Sequence, residues 1–203
     1  MDYRLAHALD GFSAHHDAFE DPLGVYVAAS QYLFAAAIVV LLLFPGARRE
    51  LTRRAGVAAA ASVGAALLIA HVLATAIDRP RPFVAHAATI HPFLVHAADP
   101  GFPSEHATAA FAIATAVALR LRLPGAIILA LAALLAAGRV FLGLHYPSDV
   151  VAGAALGAAI AALTLLPPVR RRLDAVADAA GRRADSALGG QPSWLRGSVR
   201  GGE

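Results

Sequence analysis

The 203-residue chain contains no cysteine. Disulfides, thiolate metal sites and cysteine nucleophiles are therefore excluded. It contains no lysine either: all 17 basic residues are arginine, which removes lysine nucleophiles. Charge of either sign is scarce, at 15% of residues against about 25% in soluble domains. The hydrophobic fraction is 58%, above the roughly 45–50% of such domains. These figures exclude a soluble domain and a disordered chain. The sequence pI of 9.9 suggests nucleic acid at first sight. The arginines, however, sit in short clusters between apolar runs, the charge pattern of a membrane protein. No nucleic-acid partner is expected; the bilayer is.

A helix needs about 20 apolar residues to cross the roughly 30 Å hydrocarbon core. Residues 25–44 and 55–77 carry no charge, although the second run includes His71. Residues 104–119 form a shorter run, with Arg120 and Arg122 placed to snorkel at its end. Residues 125–144 hold one charge, Arg139. Residues 150–166 include Gly153 and Gly157, a small-xxx-small pair that permits close helix packing. The expected fold is an all-α integral membrane protein with about five transmembrane helices. Three regions follow: 1–24, a membrane domain over 25–166, and a polar tail over 167–203.

Residues 1–24 carry five acids against Arg4 and do not read as a signal peptide. Tyr3, Leu5, Leu9 and Phe12 outline a short amphipathic helix lying at the interface. Pro167 and Pro168 end the last span. The tail opens with Arg170, Arg171 and Arg172, becomes Gly/Ser-rich, and is expected to be mostly flexible. Net charge alternates across the spans: −4 over 1–24, +3 over 45–54, −1 over 78–105, two arginines in 120–124, and +3 over 167–203. Positive-inside logic places 45–54, 120–124 and the tail in the cytoplasm, and 1–24, 78–105 and 145–149 outside.

Three polar groups converge on the outer face. They are Asp78-Arg79-Pro80-Arg81-Pro82-Phe83, then Gly101-Phe102-Pro103-Ser104-Glu105-His106, then Gly138-Arg139 with His145 and Asp149. Arginine forks suit phosphate oxygens. Ser104 before an apolar run reads as a helix N-cap, where free N–H groups favour an anion. His145 and Asp149 meet either on one helical face or across a turn, if Pro147 opens the helix. Such a histidine serves as a base or as a nucleophile. His106 is left to act as an acid. Plainer readings exist: an Arg-Pro loop, a simple cap at Ser104, a helix-dipole role for Glu105, and His71 packed or facing a pore. His86, His91 and His96 recur every five residues, poor spacing for one helical face, and no metal site or cofactor is expected. Arg139 resists a plain reading, because a charge within a span is costly.

Together the groups resemble the signature of the type 2 phosphatidic acid phosphatase superfamily, Lys-x6-Arg-Pro, Pro-Ser-Gly-His and Ser-Arg-x5-His-x3-Asp. The matches are Arg81-Pro82, Pro103-Ser104-Glu105-His106, and Arg139, His145 and Asp149. Ala74 stands where the family usually has Lys, Gly138 where it has Ser, and Glu105 where it has Gly. The acidic residue and the Asp-Arg-Pro-Arg-Pro-Phe run look more like its undecaprenyl-diphosphatase branch. The resemblance implies a membrane phosphatase for a polyprenyl diphosphate, working at the extracytoplasmic face without a metal. It implies His145 as the nucleophile that becomes a phosphohistidine, supported by Asp149, and His106 as the acid. Arg81, Arg139 and Ser104 would bind the phosphate, with Arg79 and Glu105 as further candidates. Alternatives are a phosphatase for phosphatidic acid or phosphatidylglycerol phosphate, a non-catalytic lipid-phosphate binder or transporter, and a structural membrane protein.

Overall fold

The computed structural model describes residues 1–13, 17–43, 48–90, 92–94 and 97–187. Among them are eight helices and no strand. They are α1 (Asp2–Ser13), α2 (Asp17–Leu43), α3 (Arg49–Ile77), α4 (Pro82–Ala85), α5 (Glu105–Ala118), α6 (Arg122–Phe141), α7 (Pro147–Thr164) and α8 (Pro167–Ala187). Helix ends follow local chemistry. Asp78 ends α3 in the left-handed region at φ 46°, its N–H on the Ala74 carbonyl. Ser104 caps α5, as its sequence position predicts, and Pro147 opens α7 where its missing N–H costs nothing.

Among the described residues, four helical segments are long and apolar enough to cross a membrane: Glu20–Leu43 of α2, Arg49–Ala85 with α3, Arg122–Phe141 (α6) and Pro147–Thr164 (α7). Their outward faces carry Val39, Val40, Leu68, Val72, Ile127, Leu134, Val151 and Leu163, all exposed. Apolar surface on that scale suits lipid rather than water. The fifth expected span, α5, has 14 residues and rises only about 21 Å. It lies at the centre, packed by α3, α6 and α7, with eight residues buried. Being enclosed by protein, it does not need the length that lipid contact demands.

Small residues bring α5 and α7 together. A Cβ on Gly153 would meet the Ser104 carbonyl at 2.5 Å, and one on Gly157 would meet the Thr108 carbonyl at 2.2 Å. The small-xxx-small pair thus performs the close packing its spacing predicts. It brings the first turn of α5 beside that of α7, where the Ser104 N–H donates to the Asp149 carbonyl at 3.0 Å.

Three terminal expectations change. The α1 helix exists, but it is docked on the bundle against α6, α7 and α2. Its inward face is Ala6 and Asp10, while Leu5 and Phe12 are about half exposed. Helix α2 starts at Asp17, eight residues before the predicted span. The tail, expected to be mostly flexible, is helical over 167–187; residues 188–203 lie outside the described residues. Packing explains that helix. Ala177 is fully buried, and Arg54 of α3 donates two bonds to Asp178, at 2.9 and 2.8 Å. Arg120 does not snorkel: its Nη2 lies 2.7 Å from Asp174 Oδ1, with the side chain only 7% exposed.

Candidate active site

Chain direction gathers the polar groups. The C-terminal ends of α3 and α6 and the N-terminal ends of α5 and α7 share one end of the bundle; α8 packs against the start of α3 and the end of α5, at the other. The turn between α6 and α7 carries His145. It depends on Gly143 at φ 68°, a conformation that favours glycine, and a Cβ there would lie 2.6 Å from an Asp10 carboxylate oxygen. His145 is 1% exposed.

Its hydrogen bonds define the tautomer. Nδ1 lies 2.9 Å from the Gly101 carbonyl, which can only accept, so Nδ1 carries the proton. Nε2 faces Arg81 Nη1 at 2.8 Å and Arg139 Nη2 at 2.9 Å. Guanidinium groups only donate, so Nε2 presents its lone pair to both. Burial pushes the His145 pKa well below the ordinary histidine range, and the positive charges of Arg139 and Arg81 push it further the same way. The imidazole is thus neutral at neutral pH, with its lone-pair nitrogen where two arginine forks converge.

The Arg81 fork is held from behind. Arg81 donates from Nε and Nη2 to the two Asp99 carboxylate oxygens, at 3.1 and 3.2 Å, and from Nη1 to the Leu144 carbonyl. Arg139, on the last turn of α6, is 2% exposed. The preceding position has no room for a side chain: a Cβ on Gly138 would meet Val27 at 2.7 Å and Leu23 at 3.0 Å. Glycine stands there because α2 fills the space a serine would need. Gly101 is equally constrained, its would-be Cβ 3.1 Å from Arg81 Cγ. Its N–H holds the Arg79 carbonyl at 2.7 Å, which ties the second motif to the first.

Asp149 is fully buried at the start of α7, and the link to His145 runs across the turn that Pro147 opens. Its Oδ2 accepts the Tyr146 N–H at 2.9 Å and lies 3.6 Å from His145 Nδ1. Asp149 therefore supplies a nearby negative charge, while the bond that orients the ring goes to Gly101. Its Oδ1 accepts from Arg79 Nη1 at 2.8 Å. Arg79, a candidate phosphate ligand by sequence, is engaged on this far side of Asp149, with its guanidinium 4.2 Å from the Tyr146 ring centre. Ser104 is buried, with its hydroxyl 3.5 Å from the Ala107 N–H. Glu105 is exposed on the first turn of α5.

His106 is half-buried and lines a cavity of about 240 Å³ between α2, α3, α5 and α6. The remaining wall is almost wholly apolar, with Phe34, Ile38, Val63, Ile113 and Leu135. His71, expected to pack or face a pore, is exposed on α3. His86 stacks against Tyr3, at 4.0 Å between ring centres. His91 and His96 lie outside the described residues.

The structure thus brings together His145, Arg81, Arg139 and Asp149, four of the residues singled out by sequence. Sequence reasoning misses Gly101, Asp99 and Tyr146. Only Asp99 left a signal, as an acid beside the second motif. Comparison with known proteins agrees with the motifs. The model of the PAP2 superfamily matches residues 55–172. The undecaprenyl-diphosphatase BcrC of Bacillus subtilis is 34% identical over 151 residues, 74% of this chain and 76% of that protein. The lipid A 1-phosphatase of Rhizobium johnstonii is 40% identical over 102 residues, covering 49% and 42%. The crystal structure of a transmembrane PAP2-type phosphatidylglycerolphosphate phosphatase from Bacillus subtilis superposes with a TM-score of 0.56, at 20% identity over 78% of this chain and 81% of that one.

Proposed function

This chain belongs to the PAP2 superfamily, and we propose that it removes the terminal phosphate of a polyprenyl diphosphate, undecaprenyl diphosphate above others, at the outer face of the cell membrane. One observation carries the chemistry: two arginine forks meet at the lone pair of a neutral, buried imidazole. His145 Nε2 attacks the terminal phosphorus, and the bond to the bridging oxygen breaks. His106 gives its proton to that oxygen, releasing the lipid monophosphate. The phosphohistidine is cationic, and Asp149 offsets its charge. Water then attacks phosphorus, His106 takes the proton, and inorganic phosphate leaves with His145 neutral again. Arg81, Arg139 and the N-terminus of α5 at Ser104 hold the phosphoryl oxygens as charge builds on them. That arginine cluster supplies the charge neutralisation for which other phosphatases use a metal.

The lipid assignment rests on the apolar cavity beside His106, which suits a hydrocarbon chain, and on the likeness to BcrC. Charge alternation supports the outward placement, with the α8 end in the cytoplasm. The likeness to a lipid A 1-phosphatase favours a second reading, a phosphatase for another lipid phosphate. Phosphate release by purified protein from undecaprenyl diphosphate, phosphatidic acid and phosphatidylglycerol phosphate, all with EDTA present, tests both. Faster turnover of the polyprenyl diphosphate is expected. Faster turnover of either glycerolipid replaces the first reading with the second, and activity that returns only with Mg²⁺ removes the metal-free mechanism. His106→Ala should lose about 10²–10⁴-fold on the lipid. It should lose much less on p-nitrophenyl phosphate, whose leaving group needs no proton.

A further inference from the structure

One carboxylate near the site belongs to none of the three motifs. Asp2 begins α1, yet its side chain reaches the first turn of α7 and is only 28% exposed. Oδ1 accepts the Ser148 N–H at 3.1 Å. Oδ2 accepts the Ser148 hydroxyl and, at 2.7 Å, Arg79 Nη2. The other Arg79 nitrogen holds Asp149 at 2.8 Å. Arg79 therefore bridges two carboxylates, one contributed by α1 and one by α7. Helix α1 is docked by contacts that do not involve Asp2: Ala6 is fully buried, and the Tyr3 hydroxyl lies 3.0 Å from the Thr89 hydroxyl.

We infer that Asp2 is a positioning residue for phosphoryl transfer, acting through Arg79 on Asp149. The inference rests on the reading of His145 as the nucleophile. Attack through Nε2 leaves a cationic phosphoimidazole that keeps its proton on Nδ1, 3.6 Å from Asp149 Oδ2. Paired with Arg79 alone, Asp149 would form a neutral unit and stabilise that cation weakly. Asp2 supplies the second negative charge, so the Asp2–Arg79–Asp149 group carries −1 behind the imidazole. Burial opposes ionisation of Asp2, but the bonds from Ser148 and Arg79 outweigh it and hold its carboxyl below the usual range. The charge is thus present at neutral pH. Arg81 and Arg139, which face the phosphate, do not touch Asp2. Losing its charge should slow the chemical step and leave substrate binding intact.

The test compares Asp2→Asn with Asp2→Glu, each checked for its melting temperature in detergent. Asp2→Asn is expected to lower kcat about tenfold, the lower range for an outer partner of a catalytic group, with KM within twofold. Asp2→Glu keeps the charge and should stay within threefold of wild-type kcat. An Asp2→Asn enzyme with wild-type kcat, or one whose loss lies only in KM, overturns the inference. If Asp2→Asn does not fold, a folded Asp2→Glu enzyme that loses tenfold or more in kcat overturns it as well. A wild type inert on every lipid phosphate overturns the functional reading and this inference with it, whereas an active wild type alongside an unaffected Asp2→Asn removes the inference alone.

Discussion

The two ends of the bundle use the same residue type for opposite purposes. At the α8 end, arginine meets carboxylate in a small network: Arg54 forks onto Asp178 and also reaches Glu50, and Arg120 and Arg170 both lie against Asp174. Charge is cancelled there, and the reward is a docked helix. At the other end, Arg81 and Arg139 aim at one imidazole nitrogen, 2.8 and 2.9 Å away. Bringing like charges together in a buried place opposes folding. Asp99 offsets one of these charges, yet both guanidinium groups still turn towards the same nitrogen, an arrangement suited to an anion. The α8 end fastens a helix; the converging end is the one proposed above to react.

The contrast is sharpened most by His145→Ala. Removing the nitrogen on which both arginines converge should cost on the order of 10⁴-fold or more in phosphate release. Near-normal turnover by that variant would reduce the converging end to a binding site. A smaller loss is expected from Arg139→Lys, which keeps the charge but removes the fork: about 10²–10³-fold in kcat. Arg139 also acts on the pH profile. Because His145 is kept neutral by burial and then by Arg139 and Arg81, the acid limb of kcat/KM should fall below the ordinary histidine pKa of about 6.5. The neutral form is the nucleophile, so weakening one of those causes lets it protonate sooner as pH drops. Arg139→Gln should therefore move the acid limb upward, measured as a steeper loss at pH 6 than at pH 8. A limb that stays in place breaks the assignment of His145 as the titrating group.

The smallest effect belongs to the α8 end. Arg54 and Asp178 are 31% and 27% exposed, so their ion pair is largely screened and contributes about 1 kcal/mol or less. Arg54→Ala should lower the melting temperature by roughly 2–4 °C or less and leave phosphate release within twofold. The bond from Arg54 holds the Asp178 carboxyl below its usual range. This contribution is present above the unfolded carboxylate pKa and disappears as pH falls through the lower, folded value. A large loss of activity in Arg54→Ala would mean that the two ends are coupled.

Much of the converging end was legible because its residues are chemically rare within apolar runs. Arg139 inside a span, the cap at Ser104 and the His145–Asp149 spacing each stand out against alanine and leucine. What stayed hidden has no residue signature. The bond that orients His145 comes from a backbone carbonyl at Gly101, and any residue has a carbonyl. The partner of Arg79 lies 77 positions away at Asp2, a distance that no local pattern spans. Helix α8 was hidden for a different reason. Its sequence is polar, and its order comes from contacts with α3, α7 and Arg120 that exist only in the folded chain. Gly138 is the reverse case: its departure from the family's serine is visible in sequence, but its cause, the side chains of α2, is not.

The backbone contact of α5 with α7 has a consequence for the enzyme in bilayers of different thickness. Gly153, Gly157 and the Ser104–Asp149 bond fix these two helices to each other by main-chain atoms, and α5 is shielded from lipid by its neighbours. A thicker or thinner membrane acts on the lipid-facing helices, which respond by tilting. Because α5 takes its depth from protein and not from acyl chains, hydrophobic mismatch reaches His106 and Asp149 only as a rigid displacement of both. The spacing between His106 and Asp149 is thereby insulated from lipid composition, and the membrane sets the depth of this end of the bundle without setting its geometry.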